Sequence, residues 1–320
     1  MHRESSATSD ALIGAVIDKR FRVVQYLGSG GVGHVYVAEG LVRGARNGPR
    51  VTVKVLRPEH QSNDMLRARF HREVAAATRI SDPRVLQIHD FGTLPSDLPY
   101  FVAELLVGLD LADTLSYAGT LSPIRATRIA LDTAFALAAA HTSGVVHRDV
   151  KPENIFLVHA PDGRELVKLL DFGFAWIDGD PGGPGFGAQG ADGDPKPQAS
   201  KESFRLTTRR GAVGTPEYMP SEQAAGELAQ PTADIYALGV VLFEMLAGRP
   251  PFTGPPAVVA EKHATERPPQ LRAVNAALEA STALEAVVVR SLEKDPGRRY
   301  GSAAAMAEAL RDTPEGRALR

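Results

Sequence analysis

Cysteine is absent from all 320 residues, which excludes disulfides, thiolate catalysis and cysteine-based metal sites. Such a chain suits a reducing cytoplasm. A charge excess of either sign is also missing, since 36 Lys and Arg stand against 38 Asp and Glu. With a formal net charge of −2, neither a nucleic acid nor a membrane surface exerts a strong pull on it. No apolar run is long enough to cross a bilayer. The most apolar helical stretch, YALGVVLFEML (Tyr236–Leu246), is too short and contains Glu244. The opening MHRESSATSD is polar with no apolar segment behind it, so no secretory leader is read there. No internal repeat is found. What remains is a cytoplasmic protein of one large or two modest domains, with an ordinary 43% hydrophobic and 23% charged composition.

Glycine, by contrast, is placed with a pattern. LGSGGVGHVYVAEG (Leu27–Gly40) carries G-x-G-x-x-G at Gly28, Gly30 and Gly33. That spacing serves two phosphate-holding devices, a dinucleotide-binding turn that opens a helix and a hairpin that covers the phosphates of ATP. The residues after Gly33 are β-branched and aromatic, as are those of FRVVQYL (Phe21–Leu27) before it, so both flanks read as strands. The glycines then sit at a hairpin tip, where missing side chains let backbone N–H groups approach phosphate oxygens. A third strand, RVTVKVL (Arg50–Leu56), contains Lys54. Beyond it Met65, Leu66, Phe70, Val74 and Ala77 fall at helical spacing, with Glu73 among them, and SDP (Ser81–Pro83) ends the helix. A glycine hairpin, a strand lysine and a helix glutamate in that order point to an ion pair that sets Lys54 on ATP.

The most specific stretch is HRDVKPENIFLV (His147–Val158). Six fixed residues in H-R-D-x-K-P-x-N, at ~5% usage each, arise by chance about once in 10⁸ positions. DFG (Asp171–Gly173), GTPEY (Gly214–Tyr218) and PSEQA (Pro220–Ala224) follow in order. With these motifs the chain resembles the eukaryotic-like protein kinase family, in particular bacterial serine/threonine kinases, from about Val16 to Arg311.

The resemblance implies an α+β, two-lobed kinase-like fold with ATP in the cleft. A small β-rich lobe would span 16–104 and a mostly helical large lobe 105–313, flanked by tails at 1–15 and 314–320. It implies ATP-dependent phosphoryl transfer to Ser and Thr hydroxyls of protein substrates, with autophosphorylation of the activation segment. The alternative is a pseudokinase scaffold that holds ATP without transfer. By resemblance, Gly28, Gly30 and Gly33 cover the phosphates, Val35 packs on adenine, and Leu27, Ser29, Gly31, Val32, His34, Glu104 and Leu106 complete the nucleotide contacts. Lys54, held by Glu73, contacts the α/β-phosphates, while Asn154 and Asp171 are the expected Mg²⁺ ligands. Asp149 accepts the substrate proton, Lys151 neutralises the transferring group, and Lys151 with Thr215 marks Ser/Thr specificity. Ser122 and Pro123 begin a helix running to about His141. Asp234 anchors the catalytic loop from a buried helix, and Glu222 pairs with Arg299.

Four departures from the family pattern stand out. Thr52 replaces the usual alanine before the strand lysine. Ala103 occupies the position guarding the back of the ATP pocket, where larger residues are commoner, so an enlarged apolar pocket is expected. Residues 176–200 hold seven glycines and four prolines in 25 residues and read as a disordered insertion. Arg148 before Asp149 signals control by a phosphate, with Thr207 and Thr208 as candidate acceptors, yet Trp176 stands where relatives often carry a second basic residue. Bacterial relatives commonly continue into a membrane helix and a sensor domain. This chain stops at Arg320, which suggests a stand-alone kinase or one controlled by a regulatory partner or a homodimer.

Overall fold

A computed structural model describes residues 12–30, 32–41, 48–178, 216–225, 227 and 230–320. The chain forms two compact units, one from 1–79 with 85–107, the other from 80–84 with 108–320.

The first unit is built on an antiparallel sheet of β1 (Val16–Ile17), β2 (Phe21–Gly30), β3 (Gly33–Gly40), β4 (Arg50–Leu56), β5 (Ile88–Thr93) and β6 (Pro99–Glu104). Its strands lie in the order β1-β2-β3-β4-β6-β5. Helix α1 (Asp64–Ala77) is capped by Asn63, whose side chain accepts from Leu66 N. Strand alternation sorts β4 onto two faces. Val51, Val53 and Val55 join Tyr36, Ala38, Tyr100 and Val102 in one apolar layer. Leu56, on the other face, joins Phe70 and Val74 of α1 with Phe101 and Ala103. Met65, expected on the buried stripe of α1, is exposed; Phe70, Val74 and Ala77 carry the burial.

The second unit holds β7 (Gly108–Asp110), α2 (Leu111–Ala118), α3 (Pro123–Thr142), β8 (Val145–Val146), β9 (Ile155–His159), β10 (Glu165–Leu169) and β11 (Trp176–Ile177). Then follow α4 (Ser221–Ala224), α5 (Pro231–Ala247), α6 (Pro256–Thr265), α7 (Leu271–Val274), α8 (Thr282–Ser291), α9 (Ala303–Arg311) and α10 (Pro314–Arg317). Ser122 caps α3 through Arg125 N, and Pro123 supplies its first turn. Helix α5 is mostly apolar, and every residue from Ala233 to Phe243, Asp234 included, is buried. A Cβ on Gly239 would meet Ser291 Cβ of α8 at 2.6 Å, so glycine is what lets those two helices approach. The short piece Ile80–Arg84 is tied into this unit by Leu169 N donating to Arg84 O at 2.7 Å and by Arg84 against Asp132.

Within the stretch read as an insertion, Trp176 and Ile177 form β11 against Val146 and Val145. Residues 179–200, with Thr207, Thr208, Thr215 and Gly31, lie outside the described residues.

Candidate active site

In the first unit, strand register places the side chains. Gly28 pairs with Val35, Val35 with Lys54 and Lys54 with Phe101, a row across four strands. Residues directly opposite in antiparallel strands share a face, so this row lies on the face that carries α1. Glu73 comes down from α1 to meet Lys54 Nζ with both oxygens, at 2.6 and 2.7 Å. Both side chains are largely buried, and the ammonium also sits 5.5 Å from the centre of the Phe101 ring. Gly33 is required by packing, since a Cβ there would stand 3.0 Å from both Lys54 Cγ and Val55 O. At Gly28 and Gly30 an added Cβ would meet nothing within 4 Å, so those two leave open backbone rather than filling a crowded turn.

Ser29 and His34 belong to a different row, with Val55 and Tyr100, on the opposite face from Lys54. Their side chains bind each other, Ser29 Oγ to His34 Nδ1 at 3.0 Å, and Tyr26 OH adds a contact to Ser29 Oγ at 2.6 Å. Burial and the nearby Arg57 hold the His34 imidazole below its ordinary pKa. What these two residues can offer a ligand on the Lys54 face is backbone N–H. Leu27 is exposed, Val32 is buried against Leu56 and Phe70, and Leu106 is half-buried. The Glu104 carboxylate accepts from Gln87 N at 2.9 Å. Ala103 is buried in the α1-facing cluster and pairs with Thr52 across the strands.

In the second unit the loop after β8 is held from beneath by Asp234. This buried α5 carboxylate accepts from His147 N at 2.9 Å, Arg148 N at 2.8 Å and His141 Nε2 at 2.8 Å. Burial alone would raise its pKa; the bonds from His141 and the Arg148 amide, with the nearby imidazoles, overcome that and leave it below the usual carboxylate value. The same bonds hold Arg148 at φ +69, a conformation that side chains rarely adopt. His147 bridges Asp149 N, at 3.2 Å from its Nδ1, and Leu170 O, at 2.9 Å from its Nε2.

The result is a compact polar group. The Asp149 carboxylate lies 2.9 Å from Lys151 Nζ, and Asn154 Nδ2 donates to Asp149 O at 2.7 Å and to Asp149 Oδ2 at 3.2 Å. With its amide nitrogen so used, Asn154 has its carbonyl oxygen as remaining donor atom for a cation. Asp171, at φ +55, accepts from Gly173 N through Oδ1 at 3.1 Å. Among the described residues no cluster of three or more His, Asp or Glu side chains could hold a metal alone. An amide oxygen and a carboxylate are hard donors, which suits a divalent ion that draws its remaining ligands from phosphate and water. The residues present therefore fit Mg²⁺ bound together with a nucleotide.

Sequence reasoning gave the Glu222–Arg299 pair but missed the Tyr218–Glu244 contact and the surroundings of Trp176. Tyr218 OH donates to Glu244 Oε2 at 2.6 Å, and burial, with Glu153 and Glu217 adding repulsion, raises the Glu244 pKa. Glu153 sits inside the H-R-D-x-K-P-x-N motif, so its position was readable, but its neighbours come from two distant segments. The Arg299–Glu222 pair is bidentate, and the guanidinium also stands over the Tyr236 ring, 4.7 Å from its centre. Trp176 packs on Val146 and Ala233.

The protein kinase domain family model matches residues 21–311. The chain is 36% identical over 299 residues to serine/threonine-protein kinase pkn3 of Myxococcus xanthus, covering 93% of this chain and 50% of that protein. It is 35% identical over 295 residues to PknB of Mycobacterium tuberculosis, covering 91% of this chain and 42% of that one. The chain thus spans half or less of the length of these curated relatives. Among solved structures, the kinase domain of Mycobacterium tuberculosis PknI matches with a TM-score of 0.65 and 26% identity, over 94% of this chain and 99% of that one.

Proposed function

The chain belongs to the protein kinase family, and we propose that it transfers the γ-phosphoryl group of ATP to Ser and Thr hydroxyls of proteins. The observation that carries this reading is the Asp149 carboxylate held by Lys151 and Asn154 on a loop whose backbone Asp234 fixes. Phosphoryl transfer needs alignment and charge neutralisation more than covalent help, and each unit supplies part of that. In the first, the open backbone at Gly28 and Gly30 receives phosphate oxygens, and Lys54, oriented by Glu73, pairs with them. In the second, Asp149 orients the acceptor hydroxyl and takes its proton as the oxygen attacks γ-phosphorus and the bond to the β-phosphate oxygen breaks. Lys151 offsets the charge on the moving group. Asn154 and Asp171 would hold Mg²⁺, which when bound would supply charge neutralisation to the phosphate groups.

Autophosphorylation at Thr207 or Thr208 belongs to the same reading, with Arg148 as the basic partner. The cytoplasm is the compartment that supplies ATP and suits a cysteine-free chain. Among the described residues no helix is long and apolar enough to cross a membrane. The test is phosphate incorporation from Mg²⁺-ATP, followed by intact mass and site mapping, beside Asp149→Asn. Incorporation in wild type and a loss of at least ~10³-fold in the variant are expected. Equal incorporation in both would remove Asp149 from the chemistry, and none in wild type despite nucleotide binding would leave a scaffold.

A further inference from the structure

In the stretch PSEQA (Pro220–Ala224), two neighbouring side chains of α4 do different things. Glu222 pairs with Arg299, whose buried guanidinium also donates to Thr232 O, Glu293 O and Lys294 O. That pair fixes the short helix to the body of the second unit. Gln223 is half-buried and turns to the catalytic loop, where its Nε2 donates to Arg148 O at 2.8 Å across 75 residues of sequence.

The acceptor carbonyl belongs to the peptide that joins Arg148 to Asp149. The N–H of the same peptide, on Asp149, donates to His147 Nδ1 at 3.2 Å. Both ends of one rigid peptide plane are therefore bound. Arg148 itself stands at φ +69, which persists only where surrounding bonds over-determine it. Asp234 holds the N–H side of this residue at 2.8 Å, and Gln223 holds the carbonyl side. Remove the Gln223 bond, and the plane leading into Asp149 keeps only the longer His147 contact. A turn of that plane moves the Asp149 Cα and swings its carboxylate.

We propose that Gln223 is a positioning residue for phosphoryl transfer: acting through the Arg148 carbonyl, it sets the orientation of the Asp149 carboxylate. This role rests on the kinase reading, in which Asp149 orients the acceptor hydroxyl. Lys151 and Asn154 also hold Asp149, so losing Gln223 should impair transfer without abolishing it.

Steady-state phosphorylation of a serine peptide by the full chain tests this, with melting temperature measured beside it. Gln223→Met keeps the length of the side chain and loses the donor. Its kcat should fall about 10-fold, the scale of a small misorientation. KM for ATP should stay within about 2-fold, because Gln223 bonds to no residue proposed to hold nucleotide. Gln223→His, which can present a neutral N–H at similar reach, should recover most of the lost kcat. Gln223→Glu keeps the shape and sets an acceptor against the carbonyl, so it should lose kcat too, an independent check if Gln223→Met fails to fold. Unchanged kcat in both donor-free variants of an active wild type would overturn the positioning role alone. So would a histidine variant no better than methionine, or a fall in melting temperature or ATP binding large enough to account for the lost kcat. No transfer by wild type would instead sink the kinase reading and this role with it.

Discussion

At the scale of single residues, the two units differ in how they hold their polar groups. Lys54 and Glu73 form a pair that is mostly out of water and is joined by two short contacts. Glu73→Gln keeps the shape and removes the charge that faces the ammonium at two short contacts. We expect kcat/KM for ATP to fall about 10- to 100-fold, or ~1.4–2.8 kcal/mol, with the melting temperature little changed. Steady-state kinetics at varied ATP check this. Asp149, by contrast, is held redundantly through Lys151, Asn154 and its own loop. Four residues on, Glu153, with Glu217, acts on the half-buried Glu244, and the three gather negative charge. Peptides with Arg next to the acceptor serine should therefore be phosphorylated with higher kcat/KM than Glu-flanked ones. Equal rates, or a loss of preference no greater in Glu153→Gln than in a distant control, would refute that.

At the scale of elements, the catalytic loop takes its shape from α5. The helix is buried on all sides, and that burial is what makes Asp234 a fixed point on which backbone amides can hang. Its packing tolerance is correspondingly small. Gly239→Ala would put a methyl 2.6 Å from Ser291 Cβ, and forced separation of α5 and α8 should cost about 1–3 kcal/mol. Urea denaturation measures the loss, and an unchanged midpoint would mean that the helices separate freely. The sheet of the first unit works differently, because period-two alternation alone decides which residues face α1. It sends Val35 and Lys54 to one face and Ser29 and His34 to the other, although all four were read as one nucleotide-binding set.

At the scale of the whole molecule, acid sensitivity has an identifiable internal source. His263 is fully buried between Tyr236 and Phe252, and burial with the nearby Lys294 pushes its pKa down to about 4. A histidine held below its unfolded value is neutral in the fold. From pH 6.5 down to about 4 the unfolded chain gains a proton that the folded chain refuses, so stability falls as pH falls through that window. The loss attributable to this group is at most roughly 3 kcal/mol. His263→Phe should flatten the decline of melting temperature between pH 6.5 and 4, and an unchanged slope would place the acid sensitivity elsewhere.

The glycine hairpin, the strand lysine, the helix glutamate, and the H-R-D and D-F-G stretches were all legible in the sequence, because each is local and its spacing follows strand or helix period. The N-cap Ser122 belongs to the same class. So did the family, since ordered motifs of that length do not arise by chance. Tertiary structure alone decided which side chains meet across long separations. Glu244 reaches Tyr218 over 26 residues, and His141 shares the Asp234 carboxylate over 93. It also decided that Trp176 packs against Val146 and Ala233, with its indole nitrogen buried. Such contacts leave no periodic trace. They follow from how buried helices and strands come to rest against one another, where the lost hydration of each polar group selects the partner that stands opposite it.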